Sequence, residues 1–242
     1  MERTFIICDP VVDGFEGAIA KHLYSFFTAI KHVSVDYIRY AYHSEIPESI
    51  LLSEESKKRS DAEISHVERV FAYELYRQWC NQVIMGGSSQ FVVNAEIPKE
   101  FSDTASIDCG HLCYPDMVLH SGQNQNKGNI IVCEIKRKEY VDLYPMKMND
   151  DIKKLCIYVD EESKIKERHE EWEPYNLGVF LMTVKSIRKN KGEEYSLDLI
   201  SNHLNTENKT QKGKLSKKIV CAIYDGNKLI YDTLYNINNQ KL

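Results

Sequence analysis

The sequence lacks a long hydrophobic run, because no apolar stretch approaches the roughly 18 residues that a membrane-spanning helix requires. Its N-terminal residues also lack an apolar segment long enough for a secretory signal peptide. We therefore expect a cytoplasmic protein that does not bind membranes. A hydrophobic content of 43% and a charged content of 28% are typical of a globular protein with a sizeable core.

The seven cysteines lack the even spacing of a disulfide framework, and no Cys-x-x-Cys pair is present. Cys133 and Cys156 stand in apolar runs and are predicted to be reduced core residues. Cys109, His111 and Cys113 would share one face of an extended segment, which is a possible zinc arrangement. Because no fourth ligand is evident, we favour the interpretation that this segment leads into the next strand.

A net positive charge is also missing, since the formal net charge is −5 and the pI is about 5.9. Neutralisation of phosphates supplies much of the affinity of nucleic-acid-binding proteins, so this balance argues against tight nonspecific binding. Basic residues are nevertheless concentrated locally, with Arg137 and Lys138 in one run and Lys153 in a later segment. We expect these three side chains to contact a nucleic-acid backbone; solvated loops are the alternative.

Two neighbouring strand-like runs contain charged residues that apolar strands normally exclude. Residues 114–120 include Asp116, and residues 130–136 include Glu134 and Lys136. The segment that links them is rich in Gly, Asn and Gln, which predicts a hairpin. Buried charges are costly unless they are paired or bind a metal ion, so this hairpin is the first candidate for a functional site.

A hairpin centred on Gln125 determines which residues of the two runs face each other. The expected pairs are Asp116 with Glu134, Val118 with Val132, and His120 with Ile130. Opposed residues have Cβ atoms about 5 Å apart, and alternation places Lys136 on the face of Glu134. Two opposed carboxylates repel each other, but Mg²⁺ reverses this effect because it binds through carboxylates and substrate phosphates. A shift of one residue in the register would separate these side chains.

The pattern Glu-x-Lys has little meaning alone, since it begins at four positions: Glu55, Glu134, Glu162 and Glu207. Only the pattern at Glu134 lies in an apolar run, and the single Pro-Asp pair, Pro115-Asp116, lies in the adjacent strand. The combination of the two patterns carries the information. A structural ion pair at the edge of a sheet, with no metal ion, is the competing interpretation.

The order of a helix with Glu, a strand, a strand with Pro-Asp, a strand with Glu-x-Lys and a helix resembles the PD-(D/E)XK nuclease superfamily. The resemblance covers roughly residues 61–184 and implies a restriction-endonuclease-like core, with a mixed sheet flanked by helices. It implies that Asp116, Glu134 and the carbonyl oxygen of Ile135 bind Mg²⁺ or Mn²⁺, and that Lys136 positions the attacking water. His120 resembles an accessory residue of related nucleases, although a histidine that bonds the loop is an equal alternative.

The superfamily also has an acidic residue on the helix before the sheet, and residues 65–79 form the candidate helix. At 100° per residue, Glu74 falls inside the apolar face, whereas Glu68 falls at its edge. Glu68 also stands three residues after Ser65, which is the spacing of a capping box. We therefore prefer Glu74 as the third acidic catalytic residue, with Glu68 as the second choice. The alternative for Glu74 is an ion pair with a nearby arginine such as Arg77.

The chain is expected to form an α/β fold with an N-terminal helical extension, residues 1–60, packed on a nuclease-like domain, residues 61–242. The polar segment 53–63 indicates a linker or a frayed turn. Three further helices are predicted: an N-terminal helix with an apolar stripe from Phe15 to Ile30 that continues toward Tyr40, a helix over 63–81 that ends near Gly86-Gly87, and a helix capped by Asn149 or Asp150. Strands are predicted over 91–96 and 175–184, and a hairpin is predicted at Asp225-Gly226.

These observations predict a metal-dependent nuclease, with DNA as the expected nucleic acid and a homodimer or a partner subunit as possible assemblies. A noncatalytic binding subunit with a nuclease-like fold is the main alternative, because a partner could supply the basic surface that this chain lacks. A Mg²⁺-dependent enzyme for a small phosphate ester is another, and it would need a closed pocket.

Overall fold

Six strands form one mixed sheet in the computed structural model, which describes residues 18–39, 54–87, 90–95, 115–121, 128–138, 141, 144–162, 172–184, 200 and 214–239. The strands are β1 Phe91–Ala95, β2 Met117–Ser121, β3 Asn129–Arg137, β4 Leu177–Thr183, β5 Ile219–Tyr224 and β6 Leu229–Thr233. The helices are α1 Ala18–His32, α2 Val35–Arg39, α3 Glu54–Met85, α4 Pro145–Val159, α5 Lys214–Lys217 and α6 Leu234–Asn239. Cys109, His111 and Cys113 lie outside the described residues.

The strands follow one another in chain order across the sheet. The central pairs β3–β4 and β4–β5 are parallel, and the remaining neighbours are antiparallel. The predicted hairpin at Asp225-Gly226 is confirmed between β5 and β6. Gly226 has a φ of 88°, and Asp225 Oδ1 accepts hydrogen bonds from the backbone N–H groups of Asn227 and Lys228. The left-handed conformation explains why glycine occupies this turn.

The sheet has a different helical layer on each face. Helices α1 and α3 cover one face, where Phe26, Leu75 and Trp79 pack against alternate residues of the strands. Helix α4 covers the other face, where Ile152 and Leu155 pack against the residues in between. Because side chains alternate along a strand, β3 from Ile131 onward directs Ile131, Cys133 and Ile135 to the first core and Val132 to the layer of α4.

Helix α3 is longer than the sequence pattern indicated. It begins at Glu54, so the prediction of a linker or a frayed turn over residues 53–63 is wrong, and the helix passes residues 60 and 61 without a break. Ser65 consequently lies inside the helix and cannot form a capping box at its N-terminus. The predicted end is confirmed, since the helix stops at Met85 and Gly87 adopts a φ of 66°.

Two other helix boundaries differ from the predictions. Helix α4 begins at Pro145 rather than at a cap formed by Asn149 or Asp150, since proline is favoured in the first turn of a helix. The N-terminal helix stops at His32, and a separate short helix begins at Val35, so the apolar stripe does not continue as one helix toward Tyr40.

The fold is therefore a mixed α/β arrangement with a six-stranded sheet between helical layers. The N-terminal α1 packs on α3 and on the central strand β3. Among the described residues, no helix combines the length and the apolar composition that crossing a membrane would need.

Candidate functional site

The pairing of β2 with β3 brings the carboxylates of Asp116 and Glu134 to one end of the hairpin. The predicted pair Val118–Val132 is confirmed, and the same register extended by two residues places Asp116 opposite Glu134. Asp116 Oδ2 accepts a hydrogen bond of 2.6 Å from the backbone N–H of Ile135, which fixes this carboxylate against β3. The charged end of the hairpin thus has the register that the sequence predicted.

The opposite end of the hairpin differs from the prediction. The register shifts between Leu119 and His120, so His120 faces Asn129 rather than Ile130. Ile130 is the additional residue on β3, and such bulges commonly occur near the ends of antiparallel pairs. The shift lies on the far side of the Val118–Val132 pair, so it leaves the positions of Asp116 and Glu134 unchanged.

The ammonium group of Lys136 connects three elements. Lys136 Nζ donates hydrogen bonds to Glu68 Oε1 of α3 at 3.1 Å and to the carbonyl oxygen of Ile135 at 3.0 Å. It also lies 3.6 Å from Asp151 Oδ2 of α4 and 4.0 Å from Asp116 Oδ2. The distance to Asp116 is at the outer limit of an ion pair, so Glu68 is the closest carboxylate to this lysine among those that the structure describes.

Helix α4 contributes two residues that the sequence analysis did not assign to the site. Lys154 Nζ lies 2.9 Å from Glu134 Oε1 and 2.7 Å from Asp151 Oδ1. Asp151 occupies a position three residues after Met148 and four before Leu155, both of which are buried against the sheet. A carboxylate at this spacing in an apolar stripe was the signal that could have identified it. We call Glu68, Asp116, Glu134, Lys136, Asp151 and Lys154 the charged cluster.

The charged cluster contains four carboxylates but only two ammonium groups, and most of it is withdrawn from water. The side chain of Glu134 is 1% exposed, whereas that of Asp116 is 26% exposed, so the cluster opens to solvent on the side of Asp116. Burial, together with the nearby Asp116 and Asp151, raises the pKa of Glu134 well above its usual value, although both lysines oppose this effect. The negative charge of the cluster is therefore only partly compensated.

The other charged groups show the same imbalance. Burial alone would lower the pKa of Lys136, but Asp116, Asp151, Glu68 and Glu134 outweigh it and raise this pKa well above the usual value. In Lys154, the carboxylates likewise outweigh burial and raise the pKa. Burial raises the pKa of Glu68, and Lys136 only partly counteracts this effect. Both lysines thus stay positively charged at neutral pH, and the carboxylates compete for them.

Glu74, the preferred third acidic residue, lies elsewhere. Its carboxylate accepts hydrogen bonds of 2.6 and 2.9 Å from Arg77 and of 2.7 Å from Gln78, all within α3. The ion pair with Arg77, which was the alternative, is the arrangement that forms. Glu68 is the acidic residue of α3 in the charged cluster, because it stands three and seven residues before the buried Phe71 and Leu75.

The remaining candidates lie away from the ion pairs of the charged cluster. His120 Nε2 lies 2.7 Å from Asn94 Nδ2 on the neighbouring strand β1. Arg137 is buried and Lys138 is half-buried, so the position of Arg137 does not suit contact with a nucleic-acid backbone. Lys153 is half-buried, but among the described residues it is Lys154 that forms the ion pairs with Glu134 and Asp151.

The donor atoms of the charged cluster suit a hard divalent cation, which prefers oxygen ligands. Glu134 Oε1 and Asp151 Oδ2 are buried, and neither has a hydrogen bond of suitable geometry to the described residues, although each has a lysine nitrogen within 4 Å. We therefore regard these contacts as ion pairs without a directed hydrogen bond. Within the described part of the chain, no three His, Cys, Asp or Glu side chains already converge on one point. The lysines stand between the carboxylates.

The chain was compared with protein-family models, with curated proteins and with solved structures, and none of these comparisons found a match. The charged cluster is consequently the feature of this chain that indicates a function.

Proposed function

We propose that this protein is a metal-dependent phosphodiesterase that acts on nucleic acid, with DNA as the expected substrate. The observation that carries the proposal is the charged cluster, where four carboxylates and two lysines meet at the end of one hairpin. Four carboxylates that face only two ammonium groups in a largely buried site are unfavourable unless a cation compensates their charge. Mg²⁺ or Mn²⁺ provides that charge and accepts carboxylate oxygens as ligands.

In this proposal Asp116 and Glu134 hold the cation, together with the carbonyl oxygen of Ile135. The chemistry that such a cation supplies is neutralisation of the phosphate charge and acidification of the attacking water. Lys136 orients that water and stabilises the negative charge that develops on the phosphate oxygens. Glu68 holds Lys136 through the 3.1 Å hydrogen bond. In this proposal Glu68, rather than Glu74, is the third acidic residue of the site.

Cleavage of supercoiled plasmid and of single-stranded DNA in Mg²⁺ or Mn²⁺ tests this proposal. We expect the wild-type protein to nick plasmid, EDTA to abolish nicking, and Glu134→Gln and Lys136→Ala to reduce the rate by at least about 100-fold, the usual scale for one stabilising group. Glu74→Gln is the matched control, since it makes the same Glu-to-Gln change at a carboxylate outside the charged cluster and should retain full activity. Full activity in Lys136→Ala would remove the role that we assign to this lysine.

The competing interpretation is a noncatalytic module in which the charged cluster is structural. It is supported by the observation that the four carboxylates each have a lysine nitrogen within 4 Å. This interpretation predicts no cleavage by any form and no heat of Mn²⁺ binding in calorimetry. Binding of Mn²⁺ by the wild-type protein, and its loss in Glu134→Gln, would exclude a purely structural cluster.

A further inference from the structure

The two contacts of Lys154 differ in kind. Asp151 is three residues earlier on the same helix, so the Asp151–Lys154 pair is local to α4. The contact with Glu134 instead joins α4 to β3, at 2.9 Å between Lys154 Nζ and Glu134 Oε1. Lys154 can therefore lose Glu134 and keep Asp151, without any change in the helix.

Glu134 has no second lysine at ion-pair distance among the described residues. Lys136 points to Glu68, Asp151 and the carbonyl oxygen of Ile135, so the nearest positive charge to Glu134 is Lys154. A divalent cation bound to Glu134 would lie close to this ammonium group. Two positive charges at such a distance repel each other strongly in a buried site. Binding of the cation therefore requires Lys154 to withdraw.

We propose that Lys154 is the counter-ion that a divalent cation replaces at Glu134, and that this exchange sets the metal affinity of the site. The inference depends on the proposed function, since it takes Glu134 as a metal ligand. In the exchange Lys154 breaks its contact with Glu134 and remains paired with Asp151. The protein then binds the metal more weakly than its carboxylates alone would allow.

Calorimetric titration of the full chain with Mn²⁺, without nucleic acid, tests the exchange. We expect Lys154→Gln to bind Mn²⁺ about tenfold more tightly than the wild-type protein, since tenfold in affinity corresponds to one charged contact of about 1.4 kcal/mol. Lys153→Gln is the matched control, because it removes the same charge from the adjacent position. Lys154→Arg keeps the positive charge and should retain the weaker affinity.

A role of Lys154 that is only structural would not tighten metal binding. Unchanged or weaker binding of Mn²⁺ by Lys154→Gln, in a protein whose wild-type form binds the ion, would overturn the inference and leave the proposed function intact. If neither form binds Mn²⁺, the proposed function fails and the inference fails with it.

A measurement on the wild-type protein decides the question even if the variants do not fold. Amine-reactive labelling followed by mass spectrometry reports the accessibility of each lysine. Saturating Mn²⁺ should increase the labelling rate of Lys154 several-fold and leave that of Lys153 unchanged. If Lys154 reacts at the same rate with and without bound Mn²⁺, the ammonium group does not leave Glu134, and the inference is wrong.

Discussion

The two faces of β3 differ in polarity, since one is apolar along its length and the other ends in charged residues. Ile131, Cys133 and Ile135 point to the layer of α1 and α3 and are buried among apolar side chains. On the other face, Val132 packs under α4, but the next two residues, Glu134 and Lys136, are charged. The first face stabilises the fold by removing apolar surface from water. The end of the second face lacks this stabilisation, because Glu134 and Lys136 there are charged and are held in a fixed arrangement by ion pairs.

This difference indicates where function can reside in the fold. A charged residue in place of Val132 would destabilise the protein, because Val132 is buried among apolar side chains under α4. Glu134 and Lys136 instead lie where β3 meets α3, α4 and the start of β2, and they have charged partners there. Residues from these four elements contact one another at this end of the strand. The faces of β3 therefore make a testable contrast, because changes on one face should respond to metal ions and changes on the other should not.

The largest expected effect is a loss of stability from truncation on either face. Ile131→Ala should cost about 2–5 kcal/mol, since it leaves a cavity in a fully buried core. Lys136→Ala should cost about 3–5 kcal/mol in EDTA, since it leaves carboxylates without their partner. Denaturant unfolding with and without Mg²⁺ separates the two: Mg²⁺ should restore stability in Lys136→Ala beyond the wild-type gain, but not in Ile131→Ala. If Mg²⁺ stabilises the wild-type protein, Lys136→Ala and Ile131→Ala equally, the two faces of β3 do not differ in their response to metal ions.

The sequence was sufficient to predict features that depend on local patterns. The pairing of Val118 with Val132 follows from strand periodicity, and the Asp225-Gly226 turn follows from the preference of glycine for positive φ. The register shift at His120 could not be predicted in this way. It depends on how the β2–β3 pair ends, where the N–H of Ser121 donates to the carbonyl of Gly128.

The site was predicted only in part, for two different reasons. Glu74 and Glu68 lie about 120° apart on a helical wheel at 100° per residue, and the sequence pattern placed the centre of the apolar stripe near Glu74 and its edge at Glu68. Because α3 begins at Glu54, Glu68 lies inside the helix and has no capping function. Its position three residues before the buried Phe71 then indicates that its side chain is directed toward the sheet. Asp151 and Lys154 come from a helix that reaches β3 only through tertiary packing, so strand and hairpin patterns contain no information about them.

A smaller effect, of opposite sign at two positions, is expected from the substitution of Glu by Gln. Glu134→Gln should stabilise the metal-free protein at neutral pH, because burial and the neighbouring carboxylates raise the pKa of Glu134 and make its charged form unfavourable in the folded protein. Glu74→Gln should destabilise slightly, since hydrogen bonds from Arg77 lower the pKa of Glu74 and favour its charged form. Thermal unfolding in EDTA measures both. Destabilisation by Glu134→Gln would contradict this prediction. It would show that the ion pair between Glu134 and Lys154 stabilises the protein by more than the burial of the Glu134 charge destabilises it.

The smallest expected effect concerns His22, on the α1 side of the sheet. Burial, followed by the charge of Lys21, lowers the pKa of His22, whose ring packs edge-on against Phe91 at 4.4 Å between centroids. The unfolded chain therefore binds a proton at a higher pH than the folded one does. The resulting stability is complete above the unfolded pKa of about 6.5 and is lost as the pH falls through the folded pKa. His22→Leu should flatten the acid side of the stability profile, and Mg²⁺ should leave this difference unchanged. A difference that varies with Mg²⁺ would instead connect α1 to the charged cluster and weaken the separation of the two faces.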